Sequence, residues 1–140
     1  MVVGATSSLA RAMCRVLASR GHMLTLVGRD EHELELQATD INVRYNTPCK
    51  ILVEDVSEPH FSVERMMASV GEMDEMFITL GYLPPDSMPP QQAINYASHL
   101  NFIIPAQIAQ AACEKLAATH TGKVVIVSSV AGDRGRQSNY

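Results

Sequence analysis

The sequence predicts an α/β protein built on a doubly wound parallel sheet. Three observations carry that prediction. Five short runs are continuously apolar, as strands are when both faces of their sheet are covered. Longer stretches between them place apolar residues at helical spacing. The runs end in glycine, serine or acidic residues, the turn chemistry that leads a strand into a helix. Right-handed crossovers then wind the helices onto both faces.

The elements follow in order. Met1-Val2-Val3 is the first strand, ending at Gly4. Ser8 to Arg20 puts Leu9, Ala12, Met13, Val16 and Leu17 on one helical face, and Gly21 stops that helix. Met23 to Val27 is the second strand, ending in Gly28. Asp30 caps a polar helix that runs through Leu34, Leu36 and Ala38 to Ile41. Lys50 to Val53 is the third strand, ending at Glu54-Asp55. Ser57 is read as the next cap, with Pro59 in the first turn and Phe61, Met66, Met67 and Val70 on the apolar side. Met76 to Leu80 is the fourth strand. A loop with Pro84, Pro85, Pro89 and Pro90 leads to one long helix, Gln92 to Ala118. Lys123 to Val127 is the fifth strand, and the tail Ala131 to Tyr140 is polar. Three residues are few for a central strand, and no helix follows the fifth. Residues 1–140 are therefore expected to be one domain of a sheet that continues, incomplete at its carboxyl end.

Composition narrows the function classes. The 140 residues are 46% hydrophobic and 19% charged, with a formal net charge of -4. That apolar fraction excludes a disordered chain. No run reaches the roughly 18 apolar residues of a membrane span. Met1 to Ala12 lacks the basic and apolar regions of a secretory signal. Mild acidity argues against a nucleic-acid partner. Cys14, Cys49 and Cys113 are odd in number and widely spaced, so reduced thiols in a cytoplasmic protein are expected. The five histidines show no ligand spacing, and no metal is expected.

The first turn reads Val3-Gly4-Ala5-Thr6-Ser7-Ser8-Leu9-Ala10. It joins strand to helix at the carboxyl edge of the sheet, where backbone N–H groups and the positive helix end favour a pyrophosphate. Gly4, Ser8 and Ala10 stand where a G-x-x-x-G-x-G loop has three glycines. An ordinary tight turn with serine caps is the competing reading.

Together with Gly28-Arg29-Asp30, Asp55-Val56, Asn101, and Ser128-Ser129-Val130-Ala131-Gly132, this loop resembles the short-chain dehydrogenase/reductase family along nearly the whole chain. The resemblance implies a Rossmann-type fold with a nicotinamide dinucleotide across its switch point. Its cofactor residues map onto Gly4, Thr6, Ser7, Ser8, Leu9, Ala10, Gly28, Arg29, Asp55, Val56, Leu80 and Gly81. An acid at the end of the second strand selects NAD, but here Gly28 and Arg29 stand there. A guanidinium suits a 2′-phosphate, so NADP is expected over NAD. Asp55 resembles the family's adenine-contacting acid, with Val56 against the ring; a plain loop aspartate is the equal alternative. The family's Asn-Asn-Ala-Gly is here Ile78-Thr79-Leu80-Gly81, in which Gly81 agrees and Thr79 can still bond backbone inside the sheet.

The resemblance also implies catalysis by Ser, Tyr and Lys, with a helix Asn holding a water in the proton relay. Ser129 matches the serine and Asn101 the asparagine. The family spacing from Ser129 places the tyrosine at position 142 and the lysine at position 146. Tyr140 is a loop tyrosine short of that spacing, or itself the acid. Without the lysine the chain as given is expected to be inactive, and its parent active. The implied activity is hydride transfer between a nicotinamide and a carbonyl or alcohol substrate, in a homodimer or homotetramer. The alternative is a non-catalytic dinucleotide-binding regulatory or scaffold module. A sugar epimerase fits less well, because its relatives prefer an acid after the second strand.

Overall fold

The computed structural model describes residues 1–118, 122–130 and 134. Strands and helices alternate: β1 (Val2–Val3), α1 (Ser8–Ser19), β2 (Leu24–Gly28), α2 (Glu31–Tyr45), β3 (Cys49–Val53), α3 (Val63–Ser69), β4 (Glu75–Ile78), α4 (Pro90–Ser98), α5 (Ile104–Ala117) and β5 (Lys123–Ile126). A turn of π-helix, His99–Ile103, joins α4 to α5. The strands are all parallel, in the order β3-β2-β1-β4-β5. The chain steps outward from β1 to β3, then returns to place β4 on the other side of β1. That reversal opens a crevice at the carboxyl ends of β1 and β4.

The pleat sends Val2 and Val3 to opposite faces, and both are fully buried. Val3 joins Met66, Met76, Ile78, Ile108 and Ala112 in the core under α3 and α5. Val2 joins Ala10, Cys14, Leu26, Leu34 and Ile41 in the core under α1 and α2. Two covered faces are why the inner strands β1 and β2 lack polar alternation; the edge strands β3 and β5 are more exposed. Truncating a fully buried side chain such as Ile108 or Leu34 to alanine costs about 2–5 kcal/mol.

Local chemistry sets the helix ends. Ser7 caps α1, its hydroxyl accepting the Ala10 N–H at 3.2 Å. Asp30 caps α2, accepting the Glu33 N–H at 3.0 Å. α2 runs beyond Ile41 to Tyr45 and stops at Asn46, which adopts the left-handed conformation with φ 50°.

Three expectations fail. Leu9, Ala12 and Val16 do not form the buried face of α1: they are exposed, and Ala10, Cys14, Leu17 and Ala18, small enough for close approach apart from Leu17, pack on the sheet instead. Ser57 does not cap a helix, and Pro59 does not lie in a first turn. The Ser57 N–H and hydroxyl both donate to Asp55 Oδ1, at 2.9 and 2.6 Å. This local turn takes Ser57 out of reach of a helix end. The cap is Ser62 instead, accepting the Arg65 N–H at 3.2 Å. The expected single long helix is also two helices, beginning at Pro90 and offset by the π turn. Pro105 is the reason. It has no N–H, so it offers no donor to the carbonyl of Asn101 four residues back or of Leu100 five back. The Ile104 N–H reaches the His99 carbonyl instead. Among the described residues no helix is long and apolar enough to cross a membrane.

Candidate cofactor cleft

A cleft of about 270 Å³ opens at the carboxyl ends of β1 to β4. A larger depression, about 350 Å³, lies at the amino ends around His22, Lys50 and Asp74. Ligands of doubly wound sheets bind at the carboxyl edge beside the switch point, which selects the smaller cleft.

Gly4 forms its floor. It sits at φ +81°, and a Cβ there would come within 3.0 Å of Thr79 Oγ1 and 3.1 Å of the Thr79 backbone. Only glycine fits this conformation and this approach without strain. The Gly4 and Ala5 N–H groups donate to the Val27 carbonyl at 2.9 and 3.0 Å, which ties the turn to β2. Thr6 and Ser7 line the cleft with Gly4. Ser8 and Leu9 are exposed on α1 outside it, and Ala10 is fully buried against the sheet. The smallness of Ala10 thus serves close packing of α1 on the sheet rather than an approach to the cleft.

Thr79 replaces the second strand-end asparagine of the family pattern. Its Oγ1 lies 2.8 Å from the Val3 carbonyl and 3.0 Å from the Gly4 carbonyl, so one hydroxyl proton serves both. The backbone contact expected of Thr79 is present. Leu80 and Gly81 follow it along the cleft wall.

The β2–β3 end is charged. Arg29 is 73% exposed, with its guanidinium 4.0 Å from the Asp55 carboxylate. Burial pushes the Asp55 pKa up. The Ser57 hydroxyl and N–H, with the nearby Arg29 charge, outweigh it and hold the carboxyl below its ordinary range. Gly28 is not imposed by its backbone. A Cβ there would meet Leu34 and Thr6 only at 3.5 and 3.6 Å, ordinary contact distances. The backbone therefore tolerates a Cβ at the end of β2, where the chain carries no carboxylate. Glu54 and Val56 complete this end, with Glu54 3.5 Å from the Arg65 guanidinium.

Asn101 stands in the π turn with both side-chain polar atoms engaged. Its Nδ2 donates to the Tyr82 carbonyl at 2.8 Å, and its Oδ1 accepts the Tyr82 N–H at 2.7 Å. Its side chain thus fixes the segment after β4, while Pro105 keeps the usual α-helical donor from its main-chain carbonyl. Ser129 lies three residues beyond the end of β5, the strand next to β4, and is exposed. Tyr140, Ala131 and Gly132 lie outside the described residues.

Sequence reasoning missed Arg11, Ser57 and Tyr82. Arg11 Nε donates to the Thr6 carbonyl at 3.0 Å, and its guanidinium pairs with Glu33 on α2. It braces the glycine turn against the neighbouring helix, and only a three-dimensional pairing reveals it. Ser57 carried a signal, an aspartate two residues ahead. Tyr82 carried one too, an aromatic directly after the strand-end Gly81.

The fit to a dinucleotide rests on this geometry: a glycine cradle a Cβ would fill, a helix N-terminus beside it, and an exposed cation at one end. Fold and cleft together define a Rossmann-type domain. A family model described as short chain dehydrogenase matches residues 1–140, and the chain belongs to that family. Its members bind a nicotinamide cofactor.

The chain is 29% identical over 79 residues to a 7beta-hydroxysteroid dehydrogenase of Collinsella aerofaciens, covering 56% of this chain and 30% of that protein. It is 40% identical over 57 residues to an inactive hydroxysteroid dehydrogenase-like protein 1 of Pongo abelii, covering 41% of this chain and 17% of that one. Among solved structures, a bulky-bulky ketone specific alcohol dehydrogenase from Comamonas testosteroni matches with TM-score 0.84 and 21% identity, over 96% of this chain and 56% of that one. A short-chain dehydrogenase from Sphingobium yanoikuyae in complex with NADPH matches with TM-score 0.81 and 22% identity, over 95% and 54%. These alignments span less than a third of the curated relatives' length and little more than half of the solved chains.

Proposed function

We propose that this chain is the cofactor-binding part of an NADP(H)-dependent oxidoreductase. The reaction is hydride transfer between nicotinamide and a carbonyl or alcohol carbon of a small molecule. The observation that carries the cofactor choice is the end of β2: Gly28 stands there in place of a carboxylate, and the exposed Arg29 guanidinium follows it. A carboxylate there would repel a 2′-phosphate; a guanidinium offers it bidentate, charge-assisted bonds. The NADPH held by a structural neighbour supports the same choice.

The nicotinamide supplies the hydride chemistry when bound. Gly4, Thr6 and Ser7, with the N-terminus of α1, receive the pyrophosphate, and Ser8, Leu9 and Ala10 shape the turn behind them. Arg29 takes the 2′-phosphate. Asp55 and Val56 flank the adenine, and Leu80 and Gly81 form the wall between β1 and β4. The Asn101 side chain is occupied by Tyr82, so the relay water belongs on the Asn101 main-chain carbonyl. Ser129 orients the substrate carbonyl through its hydroxyl. Tyr140 remains the candidate acid within the given chain. The three free cysteines support a cytoplasmic setting. The exposed Ile94 on α4 and Phe102 in the π turn support a homodimer or homotetramer.

A non-catalytic dinucleotide-binding module is the second reading. It is favoured by Thr79 and Leu80 standing where family members carry asparagine and alanine, and by the relative named inactive. The test is loss of absorbance at 340 nm when the full-length parent protein, rather than residues 1–140 alone, is mixed with NADPH and a panel of ketones and aldehydes. Turnover supports the oxidoreductase; tight NADPH binding without turnover supports the module.

A further inference from the structure

At the β4 end of the cleft one residue is held more firmly than a surface loop requires. Tyr82 lines the cleft together with Leu80 and Leu100. Its backbone N–H and carbonyl are both clamped by the Asn101 side chain, at 2.7 and 2.8 Å. Its ring packs edge-on against Tyr96, with centroids 5.0 Å apart and planes 69° apart. Edge-to-face aromatic packing of this kind restrains the ring as well as adding contact energy. The chain thus fixes both backbone and side chain of Tyr82, on a segment between β4 and α4 that is otherwise irregular.

The cleft is chemically divided. Arg29, Glu54 and Asp55 make its β2–β3 end polar and charged. Leu80, Tyr82 and Leu100 make its β4 end apolar. A dinucleotide is divided in the same sense, with a 2′-phosphate at its adenosine half when it is NADP and a planar carboxamide ring at the other. We propose that Tyr82 determines specificity in this cleft, as the prearranged aromatic wall that receives the planar-ring half of the dinucleotide distal to Arg29. Asn101 and Tyr96 are its positioning residues. The inference rests on the NADP(H) reading above and deepens it.

The test compares two probes on the intact chain by calorimetry: NADPH, and 2′,5′-ADP, which keeps the 2′-phosphorylated adenosine but lacks the nicotinamide half. The wild-type chain binds NADPH more tightly than 2′,5′-ADP. Tyr82→Ala weakens NADPH about three- to tenfold, the scale of one aromatic contact, and leaves 2′,5′-ADP unchanged. Tyr82→Phe keeps the ring and binds both as wild type does. Tyr82→Leu fills the space without a ring and decides the matter if the alanine variant does not fold by circular dichroism. Equal weakening of both probes, or unchanged NADPH binding by the ringless variants, overturns the role of Tyr82 and leaves the cofactor reading standing. Wild-type protein that binds neither probe overturns both.

Discussion

Asn101 grips Tyr82 across 19 positions of sequence, through two hydrogen bonds of 2.7 and 2.8 Å that satisfy both backbone groups of one residue. This places an asparagine of the interhelical π turn in charge of the loop beyond β4. Each such bond contributes about 0.5–1.5 kcal/mol. Asn101→Ala is therefore expected to lower stability by roughly 1–3 kcal/mol and to raise hydrogen exchange at the Tyr82 amide. Unchanged exchange there would show that the clamp does not hold in solution.

The Gly4–Thr79 contact gives a second expectation. Gly4→Ala adds a Cβ 3.0 Å from Thr79 Oγ1 at a φ of +81°. It costs both a clash and backbone strain of order 1–3 kcal/mol. Thr79→Val keeps the shape but removes the hydroxyl shared by the Val3 and Gly4 carbonyls, at about 1 kcal/mol. Thermal unfolding measures both, and the glycine variant also loses NADPH affinity because the turn is displaced.

Asp55 sets a pH dependence. Its folded pKa lies below its ordinary value of 3.8, so its contribution to stability is present above that value and is lost as pH falls through the folded pKa. Asp55→Asn is expected to be less stable than wild type at neutral pH. The gap should narrow below about pH 4, as the wild-type carboxyl takes its proton. A gap constant from neutral pH to pH 3 in denaturant titrations would contradict this.

The cysteines differ in reactivity. Burial pushes Cys14 up to about 11 and Cys49 up to about 12, whereas Cys113 is exposed. The thiolate is the reactive form, so a thiol reagent at pH 8 should modify Cys113 first. Peptide mapping after brief labelling reads the site. Half-buried Cys49 should follow more slowly, and buried Cys14 only on unfolding.

The succession of strands and helices along the chain was legible because apolar runs such as Leu24–Gly28 report burial directly. The buried face of α1 was not, since its small residues Ala10, Cys14 and Ala18 pack on the sheet while the larger Leu9 and Val16 stay exposed. The glycine turn at the cleft floor was legible too, since Gly4 and the Ser7 cap carry local signals. What escaped depended on which of several partners, near or far in sequence, each residue takes in the fold. Ser57 looked like a cap until Asp55 captured it. The long helix looked continuous because Pro105 acts through donors it withholds from Leu100 and Asn101. Arg11 and Tyr82 acquire their roles only from Glu33, Asn101 and Tyr96, which no local pattern links to them.

The central claim is that Arg29 makes this cleft an NADP site. The direct measurement is the ratio of NADH to NADPH dissociation constants for wild type and Arg29→Ala. A charge-assisted contact contributes about 1.5–3 kcal/mol, so NADPH affinity should fall roughly 10- to 100-fold with NADH little changed. A ratio that the substitution leaves unmoved would contradict the account.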